Sequence, residues 1–148
     1  AYLYLKAMYL YKDKSPNSQI TDLLVESKKN YLEEKQILPN GKGVMSVTGY
    51  KLQSFAGILL GQMYLEESDW NSAALELEEA LRAAVEATLQ SKRFFSAYIQ
   101  LGMAHYNLQN WCEASSSWRA AQKIGKKHGF SLPDALKEPM EFAQSKSN

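Results

Sequence analysis

His105, His128 and Cys112 are the side chains best suited to metal binding or covalent catalysis in this sequence. Two imidazoles and one thiol give neither a zinc-ligand spacing nor a Cys/His dyad, although carboxylates distant in sequence are free to meet in the fold. Asn40-Gly41-Lys42-Gly43 contains a Gly-Lys pair, but a phosphate-cradling loop needs four residues between its glycines, a Ser or Thr after the lysine and an apolar strand before it. His128 lies in Lys126-Lys127-His128-Gly129, where cations complement the carboxyl end of a helix. Cys112 stands beside Trp111 as a small helical residue, and a single cysteine excludes an intramolecular disulfide. No catalytic, cofactor-binding or metal-binding residue is assigned, and an enzyme is not expected.

Function must then come from a surface, and an internal repeat says how that surface is built. Leu60-Gly61, Tyr64, Asp69-Trp70, Ala73, Leu77 and Ala80 recur as Leu101-Gly102, His105, Asn110-Trp111, Ala114, Trp118 and Ala121, each displaced by 41 positions. One helical hairpin has been used twice. A mid-helix glycine costs about 1 kcal/mol against alanine, so Gly61 and Gly102 mark places where a second helix comes too close for a Cβ. Ala73, Ala80, Ala114 and Ala121 are the expected facing small residues. Asp69 and Asn110 suit the amino-terminal cap of each second helix, and Trp70 and Trp111 the corner between helices.

This pattern resembles the tetratricopeptide repeat, over roughly residues 52 to 128. The usual period is about 34 residues, so the spacing here is longer by about seven, or two helical turns. Asn71 to about Gln90 lacks Gly and Pro and predicts one long second helix. The long period is similar to that of kinesin light chains, the soluble NSF attachment proteins and the LGN/Pins scaffolds, all protein-binding.

The resemblance implies an all-α fold of antiparallel hairpins stacked as a short right-handed superhelix, with a concave wall built from the first helix of each hairpin. Its exposed positions lie three before, one after and four after the glycine. These are Ile58, Gln62 and Leu65 in one repeat and Ile99, Met103 and Tyr106 in the next. With Ala7 at the glycine position, a degenerate first repeat adds Tyr4, Met8 and Tyr11. Apart from Gln62 all are Ile, Leu, Met or Tyr, so an uncharged, apolar and aromatic groove is expected, able to take an amphipathic helix or extended peptide. The chaperone-tail clamp of some family members uses Lys, Asn and Arg where Ile58, Ile99, Gln62 and Met103 stand, so that ligand is not expected.

Five segments follow from this frame: a degenerate repeat over 1–36, a connector over 37–50, repeats over 51–90 and 91–128, and a capping segment with tail over 129–148. In the first, Ala1–Lys12 also permits an alternating strand, but the repeat frame favours a helix with Leu3 and Leu10 buried. Ser15-Pro16-Asn17-Ser18 reads as an enlarged turn, and Ile20, Leu23, Leu24, Ser27, Tyr31 and Leu32 as the stripe of a second helix ending near Gln36. Leu38 to Gly43 is turn-rich. Gly129 suits a helix C′ position, and Ala135, Leu136, Met140, Phe142 and Ala143 predict a short capping helix interrupted at Pro139, with Gln144–Asn148 frayed.

Composition agrees with one helical domain, since 45% of its 148 residues are hydrophobic, and a start at Ala-Tyr-Leu-Tyr without Met, inside an apolar pattern, leads to the expectation that it is excised from something longer or processed. The net charge of +1 argues against a dedicated nucleic-acid or anionic-membrane surface. Glu76, Glu79, Arg82 and Glu86 fall away from the Ala73/Leu77/Ala80 stripe and read as a solvated outer face. No membrane insertion is expected. Homo-oligomerisation stays open, and an intracellular location, cytoplasmic or nuclear, is expected. Three functions follow in order of preference: a scaffold binding a partner's peptide or helix, a structural spacer or dimeriser whose groove is filled by its own chain, and an RNA-binding repeat using Arg119, Lys123, Lys126 and Lys127.

Overall fold

The computed structural model describes residues 2–36, 47–86 and 92–147, and no strand occurs among them. Three hairpins follow one another: α1 (Tyr2–Lys12) with α2 (Asn17–Gln36), α3 (Val47–Glu66) with α4 (Trp70–Glu86), and α5 (Lys92–Asn107) with α6 (Trp111–His128). A 3-10 turn at Asp134–Leu136 leads into α7 (Lys137–Ser147). Each helix packs on the next in chain order, and α3 also touches α5. Of the connector expected over 37–50, residues 37–46 lie outside the described residues and 47–50 belong to α3 instead; the end of the long helix near Gln90 also lies outside the described residues.

The reasons for these helices are local. Along α4 the residues Ala73, Ala74, Leu77, Ala80, Leu81 and Ala84 are buried at helical spacing while Leu75 and Arg82 face solvent. The middle helix α3 is apolar on nearly every side, and Gln53, Ser54 and the run Ala56–Gly61 are all buried between its neighbours. In α1 the Tyr/Leu alternation is helical: Tyr4 and Ala7 are buried, whereas Leu3 and Leu10, the positions expected inside, are only half-buried. Ile20 and Leu24 of α2 close a core with Tyr4, Ala7, Ala56, Leu60 and Met63.

The three hairpin turns are built alike. Lys14, Ser68 and Gln109 adopt left-handed φ of 57°, 60° and 63°, a conformation that non-glycine residues enter only when their surroundings enforce it. The next residue's N–H donates five positions back in each case: Ser15 to the Leu10 carbonyl at 3.0 Å, Asp69 to Tyr64 at 2.9 Å, and Asn110 to His105 at 2.8 Å. These bonds satisfy carbonyls at the end of the first helix. They also align Leu10 with Tyr64 and His105, and hence Ala7 with Gly61 and Gly102. The first turn is tighter than expected, because α2 already begins at Asn17.

Two expectations about helix contacts change. A Cβ at Gly61 would lie 2.5 Å from Leu77 Cγ, and one at Gly102 would overlap the Trp118 indole. The bulky residue of the second helix, not an alanine, fills each glycine slot; Ala80 instead meets Gly57, where an added Cβ would lie 2.8 Å from its own. Trp118 is 1% exposed, and its Nε1–H donates to the Ile99 carbonyl at 3.1 Å. The second change concerns caps. Asp69 Oδ1 accepts from the Ser72 N–H at 3.2 Å, as a cap should. Asn110 makes no side-chain cap, because its Nδ2 lies 3.3 Å from His105 Nδ1.

The acidic face of α4 is also not wholly solvated. Lys28 of α2 reaches Glu76 at 2.6 Å and Glu79 at 3.2 Å, with only 12% of its side chain exposed. Burial works against the ammonium, but the hydrogen bonds and charges of Glu76 and then Glu79 outweigh it and raise the Lys28 pKa. At the far end, Gly129 takes a φ of 80° and ends α6, as its sequence position predicts. Pro139 does not interrupt α7. It sits in the first turn, where no N–H is required, and the helix runs on through Ser147 instead of fraying from Gln144.

Two outcomes follow. Gly102→Leu forces the Trp118 indole out of its slot and costs about 2 kcal/mol or more by overpacking, despite the better helix propensity of leucine; chemical denaturation reads this as a lower midpoint. The Lys28 contribution is complete below its ordinary pKa of 10.5 and is lost as pH rises through the raised folded value. Alkaline titration of the denaturation midpoint therefore shows a steeper decline in the parent protein than in Lys28→Met.

Candidate functional site

Three first helices, α1, α3 and α5, enclose a groove of about 450 Å³. Its α1 wall carries Tyr4, Met8 and Tyr11, and its floor carries Phe55, Ile58, Leu59 and Gln62 of α3. The third wall is polar, built from Lys92, Arg93, Ser96 and Gln100 of α5, and Lys12 stands at the end of α1. Lys92, Ser96 and Gln100 share one helix face because they are spaced by four.

Hydrogen bonds set the distance between the walls. Gln62 Nε2 donates to the Tyr11 hydroxyl at 3.0 Å, and that hydroxyl donates to Glu66 Oε1 at 2.7 Å. Gln62 and Glu66 are one turn apart on α3, so together they orient the phenol of α1. Across the groove, Arg93 donates to the Tyr4 hydroxyl at 3.1 Å while its guanidinium lies 3.9 Å from the centre of the Phe55 ring. Phe55 is sandwiched in a series of rings, 6.3 Å from Tyr4 and 6.0 Å from Phe94. Burial raises the Tyr4 pKa although Arg93 opposes it, so the hydroxyl stays neutral and able to accept.

The nine residues expected on the concave wall do not form one surface. Tyr4, Met8, Tyr11, Ile58 and Gln62 come together in this groove, with Tyr4 and Ile58 largely buried beneath it. Leu65 packs half-buried against the core formed with Ala73 and Leu77. Ile99, Met103 and Tyr106 line a separate cavity of about 300 Å³, bounded on its other side by Pro133, Ala135, Leu136 and Pro139 of the carboxy-terminal segment. Tyr106 is a packing residue: its ring lies 5.2 Å from Trp111, 5.7 Å from Trp118 and 6.1 Å from Phe142. Met103 remains exposed.

The repeat frame did not supply Phe55 and Leu59 of the floor, nor the polar lining residues Lys12, Lys92, Arg93, Ser96 and Gln100. The frame reads the same offsets on every first helix, but α5 presents to the groove a face ten to two residues before Gly102. The expectation of an uncharged groove is therefore incomplete: the lining is apolar with three cationic side chains and no carboxylate. His105, buried away from the groove lining, joins α4 to α5 through Glu78 Oε1 at 2.7 Å. With the Nε2 proton toward Glu78, Nδ1 is left to accept from Asn110, the tautomer that satisfies both contacts.

Among the described residues no group of three or more His, Cys, Asp or Glu side chains is placed to hold a metal, and no helix is long and apolar enough to cross a membrane. No family model, curated protein or solved structure matches the chain.

The Tyr11 relay has a measurable consequence. Burial, then the hydrogen bond and charge of Glu66, push its pKa up to about 12. Because the folded value is raised, the stability this hydroxyl gives is intact below its ordinary 10.0 and disappears as pH climbs through about 12. Titration of tyrosinate absorbance shows a late-ionising fraction, and Tyr11→Phe removes its last component.

Proposed function

We propose that this chain is a non-enzymatic, tetratricopeptide-like scaffold that binds a peptide or amphipathic helix of a partner protein in the groove between α1, α3 and α5. The observation that supports this reading is the groove's construction: a mainly apolar trough of about 450 Å³ whose walls are tied at a fixed separation by the Gln62–Tyr11–Glu66 and Arg93–Tyr4 hydrogen bonds. A trough kept open in this way needs little rearrangement to accept a ligand, which lowers the cost of binding. Met8 supplies an adaptable apolar surface on its α1 wall.

A second reading is favoured by the other cavity. Ile99 and Tyr106 pack against the chain's own carboxy-terminal segment while Met103 stays exposed, an arrangement expected of a spacer whose concave face is partly self-occupied. The two readings divide the molecule between them, with ligand binding confined to the first two hairpins and the start of α5.

Met8 is half-buried and lines the groove without belonging to a glycine slot. Met8→Glu weakens partner binding by about 2 kcal/mol or more, as for a central interface residue, and leaves the melting temperature nearly unchanged. Met103→Glu, in the other cavity, leaves affinity near that of the parent. Isothermal titration with the captured partner measures both, and equal affinities for parent and Met8→Glu would move the assignment to the spacer reading.

A further inference from the structure

Resting on the groove reading above, we infer that the occupant is an acidic amphipathic peptide, its apolar side chains on the α3 floor and its carboxylates toward Lys12, Lys92 and Arg93. The charge distribution carries this. All three cations lining the groove are exposed at its margin, and no Asp or Glu is among the lining residues. Glu66, the carboxylate nearest in the hydrogen-bond relay, is engaged by Tyr11. A groove with one sign of charge over low-dielectric walls concentrates ligands of the opposite sign and repels its own.

The distribution is asymmetric, and the asymmetry specifies the ligand further. The floor and the α1 wall offer Phe55, Leu59 and Met8, while Lys92, Ser96 and Gln100 make the α5 wall polar. A wholly apolar peptide would strip water from that wall without replacing its hydrogen bonds. Gln100 Oε1 already lacks a donor among the described residues, an unmet acceptor that a peptide N–H satisfies once the terminal amide turns outward. Arg93 is preorganised for a carboxylate: its stacking on Phe55 and its bond to Tyr4 fix the guanidinium plane before any ligand arrives. A polyanion such as RNA would meet the same cations but gain nothing from Met8 and Leu59 below them.

Two fluorescein-labelled synthetic peptides of about 16 residues, long enough for four helical turns, test this. They carry the same leucine stripe and differ only in flanking Glu or Lys. By fluorescence anisotropy with the whole chain, the Glu peptide binds at least about tenfold tighter than the Lys peptide and weakens as salt is added. The double variant Lys12→Glu with Lys92→Glu, whose fold is checked by its melting curve, inverts that preference. Equal affinity for the two peptides, abolished by Met8→Glu, overturns the charge inference and leaves the groove. Failure of both peptides to bind, or binding of the Glu peptide that Met8→Glu does not touch, overturns the groove reading as well. Displacement of the Glu peptide by a uridine oligomer of equal charge at lower concentration overturns the inference in favour of a polyanion.

Discussion

The close approach of paired helices at Gly61 and Gly102 is the constraint on which the rest of the molecule depends. Each glycine removes a Cβ where the second helix inserts its largest inward side chain, Leu77 in one hairpin and Trp118 in the other. Trp118 is held both by this slot and by its hydrogen bond to the Ile99 carbonyl. Its ring then supports Tyr106, Tyr106 contacts Phe142, and Phe142 lies 5.1 Å from Trp111. Displacing the indole thus loosens the seat of α7 as well as the hairpin that contains it. Because the inward face is consumed by these slots, α1, α3 and α5 have other faces left with which to enclose a groove.

What was legible in the sequence was whatever shape alone requires. Glycine at Gly61 and Gly102, the buried alanines of α4 and α6, the Asp69 cap and the left-handed Gly129 each answer a local steric or hydrogen-bonding demand that one residue type meets best. The helix in Ala1–Lys12 was readable only by laying it on the repeat, since its Tyr/Leu alternation alone permits a strand.

The illegible parts depend on contacts between residues far apart in the chain. Lys28 meets Glu76 and Glu79 across about fifty positions, so two acids that looked solvated are in fact a junction. Asn110 has the chemistry of a cap but lies within reach of His105, which takes its amide. The polar wall of the groove was missed because the rotation of α5 against α3 determines which of its faces points inward. A fixed offset from Gly102 carries no information about that rotation. The same rotation sends Ile99 and Tyr106 toward the carboxy-terminal segment.

The acids of α4 look in two directions: Glu76 and Glu79 turn back to Lys28 of α2, and Glu78 turns forward to His105 of α5. This makes the order of the hairpins a matter of addressed, not generic, contacts. Were the α3–α4 unit duplicated in tandem, the second copy would set Tyr64 against the preceding Glu78, since Tyr64 occupies the position that His105 holds one repeat later. A phenol can only donate its O–H to that carboxylate, through a different reach, and has no second ring nitrogen for the neighbouring side chain to engage. Hairpins of this chain are consequently not interchangeable building blocks, and an array extended by copying its middle unit would lose the polar joint that now sets one hairpin against the next.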